Sequence, residues 1–326
     1  KTERTANMNI VFMGTPDFAL PTLQQLHQSN HNVQLVVTQP DRPKGRGRES
    51  SPPPVKKFAT ENGLPILQPE KSANPEVAQT LSELNADIFI VVAFGQILKE
   101  NLLTLPHHFC MNLHSSLLPK YRGAAPINWA IINGETETGV TTMKMDAGLD
   151  TGDILLTDRV PIHSEEDAQS LHDTLATKGA SLVLETLRQL ETGTLKPLPQ
   201  DPSLSSYAPK LKKEDGLICW DESASTIHNR ARGLSPWPGA FSFLGPKRLS
   251  IRKTEITTGE ASDSPGSIIR TSDRGIEVGT RDGRITITEL QPEGKKRMSA
   301  KSFLAGHKLV SGDRFSNEAR LKISNY

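Results

Sequence analysis

Cysteine is almost missing from this chain: its 326 residues include two, Cys110 and Cys219, far apart. That excludes a disulfide framework and a paired-cysteine zinc site, and it fits a reducing, cytoplasmic setting. No apolar run approaches the roughly 20 residues needed to span a bilayer, so no membrane segment is expected. The opening KTERTANMNIVF has no long apolar stretch behind its charges, which argues against a secretory leader, and Lys1–Asn7 read as a frayed extension. A dinucleotide fingerprint is missing too. The turn GTPDFA offers one glycine, Gly14, and puts Pro16 where backbone should approach a pyrophosphate, which disfavours a nicotinamide-dependent dehydrogenase.

What is present divides the chain in two. From Lys1 to Ser206 there are 17 Lys and Arg against 23 Asp and Glu, a net of −6, and from Tyr207 to Tyr326 there are 21 against 14, a net of +7. A basic C-terminal third on an acidic body suggests a module for a polyanion. In the N-terminal part, apolar strand-like runs (MNIVFM, HNVQLVVT, a short Pro65–Leu67, DIFIVVAF, Phe109–His114, Gly139–Met145) alternate with helical patterns, including a long one over Glu165–Leu190. That order predicts a doubly wound, Rossmann-like parallel sheet, an α/β domain over residues 8–192. Residues 193–209, rich in Pro and Ser, read as a linker. Beyond it, LSIRKTEIT, GSIIRT, GIEVGT and RITITEL predict a smaller β-barrel over residues 210–326.

Ligands of open parallel sheets bind beyond the carboxyl ends of the strands. The run CMNLHSSLLP, Cys110–Pro119, is such an end, and alternation puts Cys110, Asn112 and His114 on one face. Downstream, MDAGLDTGDI holds Asp146, Asp150 and Asp153 with Gly148 and Gly152, glycines expected to admit a flat ligand. A carboxylate near His114 would set its tautomer and favour its protonated form, while Asn112 can donate to an oxyanion. No Ser or Cys stands in a nucleophile motif, so direct attack by a substrate amine is the simpler route. His107, His108, Cys110 and His114 lie close together, yet no usual zinc spacing is present and no metal is expected.

The segment NLHSSLLPKYRGAAPINWAIINGETETGVTTMKMDAGLDTGDIL, Asn112–Leu155, closely resembles the formyl-tetrahydrofolate-dependent transferases. The resemblance implies a catalytic trio of Asn112, His114 and Asp150. It also implies a folate site built from Ser116, Leu117, Leu118 and Pro119 together with Gln96, Ile97 and Leu98. The co-substrate implied is 10-formyltetrahydrofolate. Within the family, TQPDRPKGRGRE resembles the loop of the branch that formylates initiator methionyl-tRNA, a basic arm carrying Arg42, Lys44, Arg46 and Arg48. PWPGAFSF and GKKRMSAKSFLAGHKL extend the likeness, with Lys295 and Lys296 expected on a tRNA-facing, oligonucleotide-binding-type (OB-like) barrel. The expectation is therefore a monomeric, cytoplasmic enzyme that formylates an aminoacyl-tRNA. A UDP-amino-sugar formyltransferase, and a tRNA-binding module with a decayed catalytic domain, are the competing readings. The basic loop disfavours the first and the intact trio disfavours the second.

Overall fold

Apolar runs without alternation need cover on both faces, and the N-terminal sequence supplies it by interleaving strands with helices. The computed structural model describes residues 7–44, 49–257 and 264–318. In chain order it forms β1 (Asn9–Gly14), α1 (Leu20–Gln28), β2 (Asn32–Val37), β3 (Arg42–Lys44), β4 (Glu49–Ser51), α2 (Pro54–Glu61), β5 (Ile66–Leu67), α3 (Pro75–Glu83) and β6 (Ile88–Val92). There follow α4 (Glu100–Leu103), β7 (Cys110–His114), β8 (Arg122–Gly123), α5 (Pro126–Ile132), β9 (Glu137–Lys144), β10 (Ile154–Pro161), α6 (Ala168–Glu191) and β11 (Tyr207–Ala208).

The main sheet runs β5-β2-β1-β6-β7-β9-β10. The first five strands are parallel, and β9 and β10 extend the sheet antiparallel. Strand order reverses between β1 and β6, which opens a crevice at their carboxyl ends. The loops there are tied together: Thr15 Oγ1 donates to the Phe94 carbonyl at 3.0 Å, and Gln39 Nε2 reaches the same oxygen at 3.3 Å. Strand β7 divides its side chains between two covers. Leu113 packs so tightly on α6 that a Cβ at Gly179 would stand 2.5 Å from its Cδ2, whereas Cys110 faces the Leu102 carbonyl at 3.8 Å. Strand β10, absent from the expected elements, alternates buried and exposed positions at the sheet's edge.

The C-terminal part forms α7 (Ala224–Gly233), β12 (Ala240–Leu244), β13 (Lys247–Thr257), β14 (Ile268–Thr271), β15 (Ile276–Gly279), β16 (Arg284–Pro292), β17 (Met298–Ser299), α8 (Ala300–Gly306) and β18 (Phe315–Ser316). Its antiparallel order is β14-β15-β16-β13-β12-β18, with β17 on β16. The two ends of that row meet. Ser267 and Arg314 bridge antiparallel, Ile268 N–H donates to Asp313 O at 2.7 Å, and Phe315 N–H to Gly266 O at 2.8 Å. Joining the ends removes free edges and makes the sheet the small barrel expected. Inside lie Ile251, Ile268, Val278, Ile285 and Ile287, with Trp220 and Phe315 stacked at 5.3 Å.

Packing divides the chain discontinuously, into one unit of residues 1–126, 137–161 and 172–208 and another of 127–136, 162–171 and 209–326. The two short inserts join the second unit through polar contacts: Asn128 donates to Gly233 O at 2.8 Å, and Arg232 to His163 O and Glu166 O at 3.1 and 3.0 Å. Residues 193–208 are hydrogen-bonded onto the first unit, through the Ile154–Leu198 bridge and the β8–β11 pairing. No helix among the described residues is long and apolar enough to cross a membrane.

Truncating the ring that links barrel closure to barrel core should be costly. Phe315→Ala is expected to destabilise the C-terminal unit by about 3–5 kcal/mol. Calorimetry should show its transition shifted to lower temperature, with the α/β unit's transition in place. An unmoved profile would contradict the packing described.

Candidate active site

Strand β7 ends at the crevice with His114, which is buried at 6% exposure. Its Nε2 lies 2.9 Å from the Tyr121 carbonyl oxygen. A carbonyl only accepts, so Nε2 carries the proton and Nδ1 of the neutral ring keeps a lone pair. Facing Nδ1 at 3.7 Å is Asp150 Oδ2. The backbone carbonyl, and not the carboxylate, therefore sets the tautomer, which corrects the expectation drawn from sequence. The carboxylate faces the nitrogen that takes up a proton, where it can stabilise the imidazolium that results. Asn112, two residues back on the same face, is half-buried, and its carboxamide has no hydrogen-bonding partner among the described residues.

Of the three carboxylates in MDAGLDTGDI, Asp150 is the one that reaches His114. Asp146 is engaged locally, accepting from Gly148 N–H at 3.0 Å and from Thr151 Oγ1 at 2.7 Å. Asp153 lies 4.0 Å from Lys144 Nζ. The glycines here are required by the protein's own packing. A Cβ at Gly148 would stand 2.0 Å from Thr151 Oγ1, and one at Gly152 2.0 Å from the Lys144 carbonyl, so both are small because protein fills the space beside them.

Four side chains or amides that sequence reasoning passed over hold the pair in place. Asp150 Oδ2 accepts from Gly123 N–H at 2.8 Å. Gln200 Nε2 donates to Asp150 O and Gly152 O at 2.9 and 2.7 Å, while its Oε1 accepts from Arg122 Nε and Nη2 at 3.1 and 2.8 Å. Tyr121 N–H donates to Ser206 Oγ at 2.9 Å. Asp150 and Tyr121 both take left-handed backbone, φ +54° and +60°. Such geometry costs on the order of 1–3 kcal/mol for a non-glycine residue and persists only where surroundings over-determine it. One signal for Gln200 was available: a polar side chain inside an otherwise aperiodic Pro-rich stretch. Nothing local pointed to its partner.

The remaining predicted residues fall in three places. Ser116 is fully buried, its hydroxyl donating to Lys120 O at 2.7 Å; Leu118 is buried, and Leu117 packs over Gly139. Pro119 ends the same turn, half-buried after a cis peptide bond. At the end of β6, Gln96 is held by Ser72 N–H and Pro69 O, at 2.5 and 3.0 Å, and Leu98 is in the core. Ile97 is 85% exposed. The backbone N–H groups of Gln96, Ile97 and Leu98 have no partner among the described residues. The basic loop is a hairpin stem, with Arg42 opposite Ser51 and Lys44 opposite Glu49. Arg42 is exposed and donates to Gln39 Oε1 at 3.2 Å, while Arg46 and Arg48 lie outside the described residues. Lys295 and Lys296 are exposed in the turn between β16 and β17. Cys110 is no nucleophile: burial pushes its thiol up to about 12, and the thiolate is the reactive form.

Compared with known proteins, residues 8–187 match the family model of formyl transferase, and residues 210–308 match that of the formyl transferase C-terminal domain. The chain belongs to the formyl transferase family. It is 54% identical over 312 residues to the methionyl-tRNA formyltransferase of Geobacter metallireducens, covering 96% of this chain and all of that one. Another formyl transferase so named, from Trichlorobacter lovleyi, is 55% identical over 303 residues, covering 93% and 95%. Among solved structures, the N-formyltransferase from Helicobacter canadensis in complex with folinic acid and dTDP-3-aminofucose shares the fold at a TM-score of 0.67 and 21% identity, over 88% of this chain and all of that one. HypX from Aquifex aeolicus, in complex with tetrahydrofolic acid, shares it at 0.62 and 19%, and this chain spans 47% of that protein's length while 92% of this chain is covered.

The Gln200 contacts yield a test that needs no turnover. Gln200→Leu removes the bonds to Asp150 and Gly152 and leaves Arg122 without its acceptor, a loss of roughly 1–3 kcal/mol. The Gly123 amide, which is bonded to the Asp150 carboxylate, should then exchange with solvent markedly faster. Unaltered protection at Gly123 would mean that Gln200 does not hold this turn.

Proposed function

We propose that this formyl transferase moves the formyl group of 10-formyltetrahydrofolate onto the α-amine of initiator methionyl-tRNA, acting as a cytoplasmic monomer. The observation that carries the reading is 54% identity, over essentially the whole length of both chains, to a protein named for that reaction. The geometry supplies the chemistry. The neutral amine attacks the formyl carbon directly, and the carbonyl oxygen becomes an oxyanion. Asn112, with its carboxamide unengaged among the described residues, donates to that oxygen. His114 takes the proton released by the amine on Nδ1, the nitrogen left free by Tyr121. The imidazolium so formed faces the Asp150 carboxylate at 3.7 Å, and its proton passes to the departing folate nitrogen as the intermediate collapses.

The folate side of this reading draws on two segments. Exposed Ile97 and the amides of Gln96–Leu98, unpaired among the described residues, suit a flat heterocycle with a hydrogen-bonding edge, and the turn Ser116–Pro119, with Ser116 and Leu118 buried, would supply apolar contact. The tRNA side draws on the hairpin with Arg42, Lys44, Arg46 and Arg48 for the acceptor end, and on Lys295 and Lys296 for backbone phosphates. Two short strands, Arg42–Lys44 and Glu49–Ser51, pair antiparallel as the stem of that hairpin.

With a radiolabelled formyl donor, label should pass to methionyl-tRNA and not to a UDP-amino sugar. His114→Ala and Asp150→Ala should each lower kcat by about 10²–10⁴-fold, the range of a lost acid–base group, with the affinity for a non-transferable folate analogue unchanged. Arg46→Ala should reduce formylation of tRNA without altering folate binding. Label appearing on the sugar nucleotide, or near-normal turnover in either trio variant, would overturn the reading.

A further inference from the structure

Strand β13 places Arg248, Ser250 and Arg252 at alternate positions, so the three leave one face of the barrel wall while Leu249 and Ile251 enter the core. Register sets Phe241 of β12 and Gln291 of β16 on either side of Ser250. A cavity of about 170 Å³ opens there, lined by Arg248, Ser250, Arg252, Gln291, Glu293 and Gly294.

The two guanidiniums are held from behind. Arg252 donates through Nε and Nη2 to Gln291 Oε1, at 3.1 and 2.6 Å, and through Nη1 to Pro236 O at 3.4 Å. Arg248 lies over the Phe241 ring, 3.8 Å from its centroid. Its Nε is buried and has no partner among the described residues. A donor withdrawn from water and left unpaired is unfavourable, so this one calls for an acceptor that the protein does not provide. Burial first, and then the charges of Arg297 and Arg248, hold Arg252 below the usual arginine range. Nearby carboxylates do not neutralise the cluster: Glu289 is engaged by Arg297, and Glu293 is exposed at the rim. Like charges crowded round one concavity, with planar forks aimed by a ring and an amide, fit a tetrahedral oxyanion.

We infer that this pocket seats one phosphate of a nucleic-acid backbone, with Arg248 and Arg252 as its donors. The inference rests on tRNA being the substrate, and it puts a discrete phosphate contact on the wall of the C-terminal barrel. Free inorganic phosphate shares the chemistry, so the test separates the two sources.

Binding of methionyl-tRNA to the full chain is measured by filter retention over a range of KCl concentrations, alongside titration with inorganic phosphate and a formylation assay. Arg248→Gln and Arg252→Gln should each reduce the salt slope by about one, the share of a single phosphate contact, and weaken tRNA binding roughly tenfold at low salt. Ser250→Glu, which removes no side-chain hydrogen bond among the described residues and puts a carboxylate in the cavity, should weaken binding further while the chain stays folded. Turnover at saturating tRNA should be unchanged in all three. Wild-type slopes in the folded variants overturn the pocket, and so does loss of inorganic-phosphate binding with an unaltered tRNA slope. Formylation by the wild-type chain with unaltered slopes would remove the pocket alone. Arginine-dependent tRNA binding without any formylation would remove the activity and leave the pocket standing.

Discussion

A single hydrogen bond organises the candidate active site: the one from His114 Nε2 to the carbonyl of Tyr121. It decides which ring nitrogen is free, and hence which nitrogen the Asp150 carboxylate must face. Everything around it serves to keep that carbonyl and that carboxylate where they are. Tyr121 and Asp150 are both forced into left-handed backbone, and each is pinned by residues 200–206, Asp150 through Gln200 and Tyr121 through Ser206. The stretch after α6 is therefore part of the candidate site's frame. Strain at two adjoining turns is held by hydrogen bonds from a third, an arrangement that preorganises charge before substrate arrives.

Much of this was legible in the sequence, and the reasons are physical. β1 and β6 read as buried parallel strands because continuous apolar runs have no other stable setting in a chain of alternating helices. That Asn112 and His114 share one face at a strand end was legible because strand alternation is rigid, and the structure places both on β7. Gln200 could not be read because its partners lie about fifty residues away, and the tautomer of His114 could not because it depends on how the turn after the strand folds the Tyr121 carbonyl back onto the ring. At Gly148 and Gly152 the structure shows what a Cβ would meet, Thr151 Oγ1 and the Lys144 carbonyl, a local crowding that composition does not announce. Residues 127–136 and 162–171 pack with the C-terminal unit although they interrupt the α/β sequence, a division that no compositional shift announces.

The barrel shows a related separation of duties. Its inner face is mainly apolar, with buried Ser242 accepting from the Trp220 indole, and it closes through the Ser267–Arg314 bridge, so stability rests largely on positions that alternation already marks. The outer face of β13 carries arginines whose orientation comes from neighbouring strands, Phe241 beneath one and Gln291 beside the other. Net basic charge identifies such a surface only in bulk, and direction comes from packing.

The most direct test of the account is nitrogen chemical shifts of the His114 ring in nitrogen-15 histidine-labelled protein, assigned by difference against His114→Ala and measured where the ring is neutral. Held by the Tyr121 carbonyl, the ring should show a protonated Nε2 and an unprotonated Nδ1. A proton found on Nδ1, directed at Asp150, would contradict the central claim and return the choice of tautomer to the carboxylate.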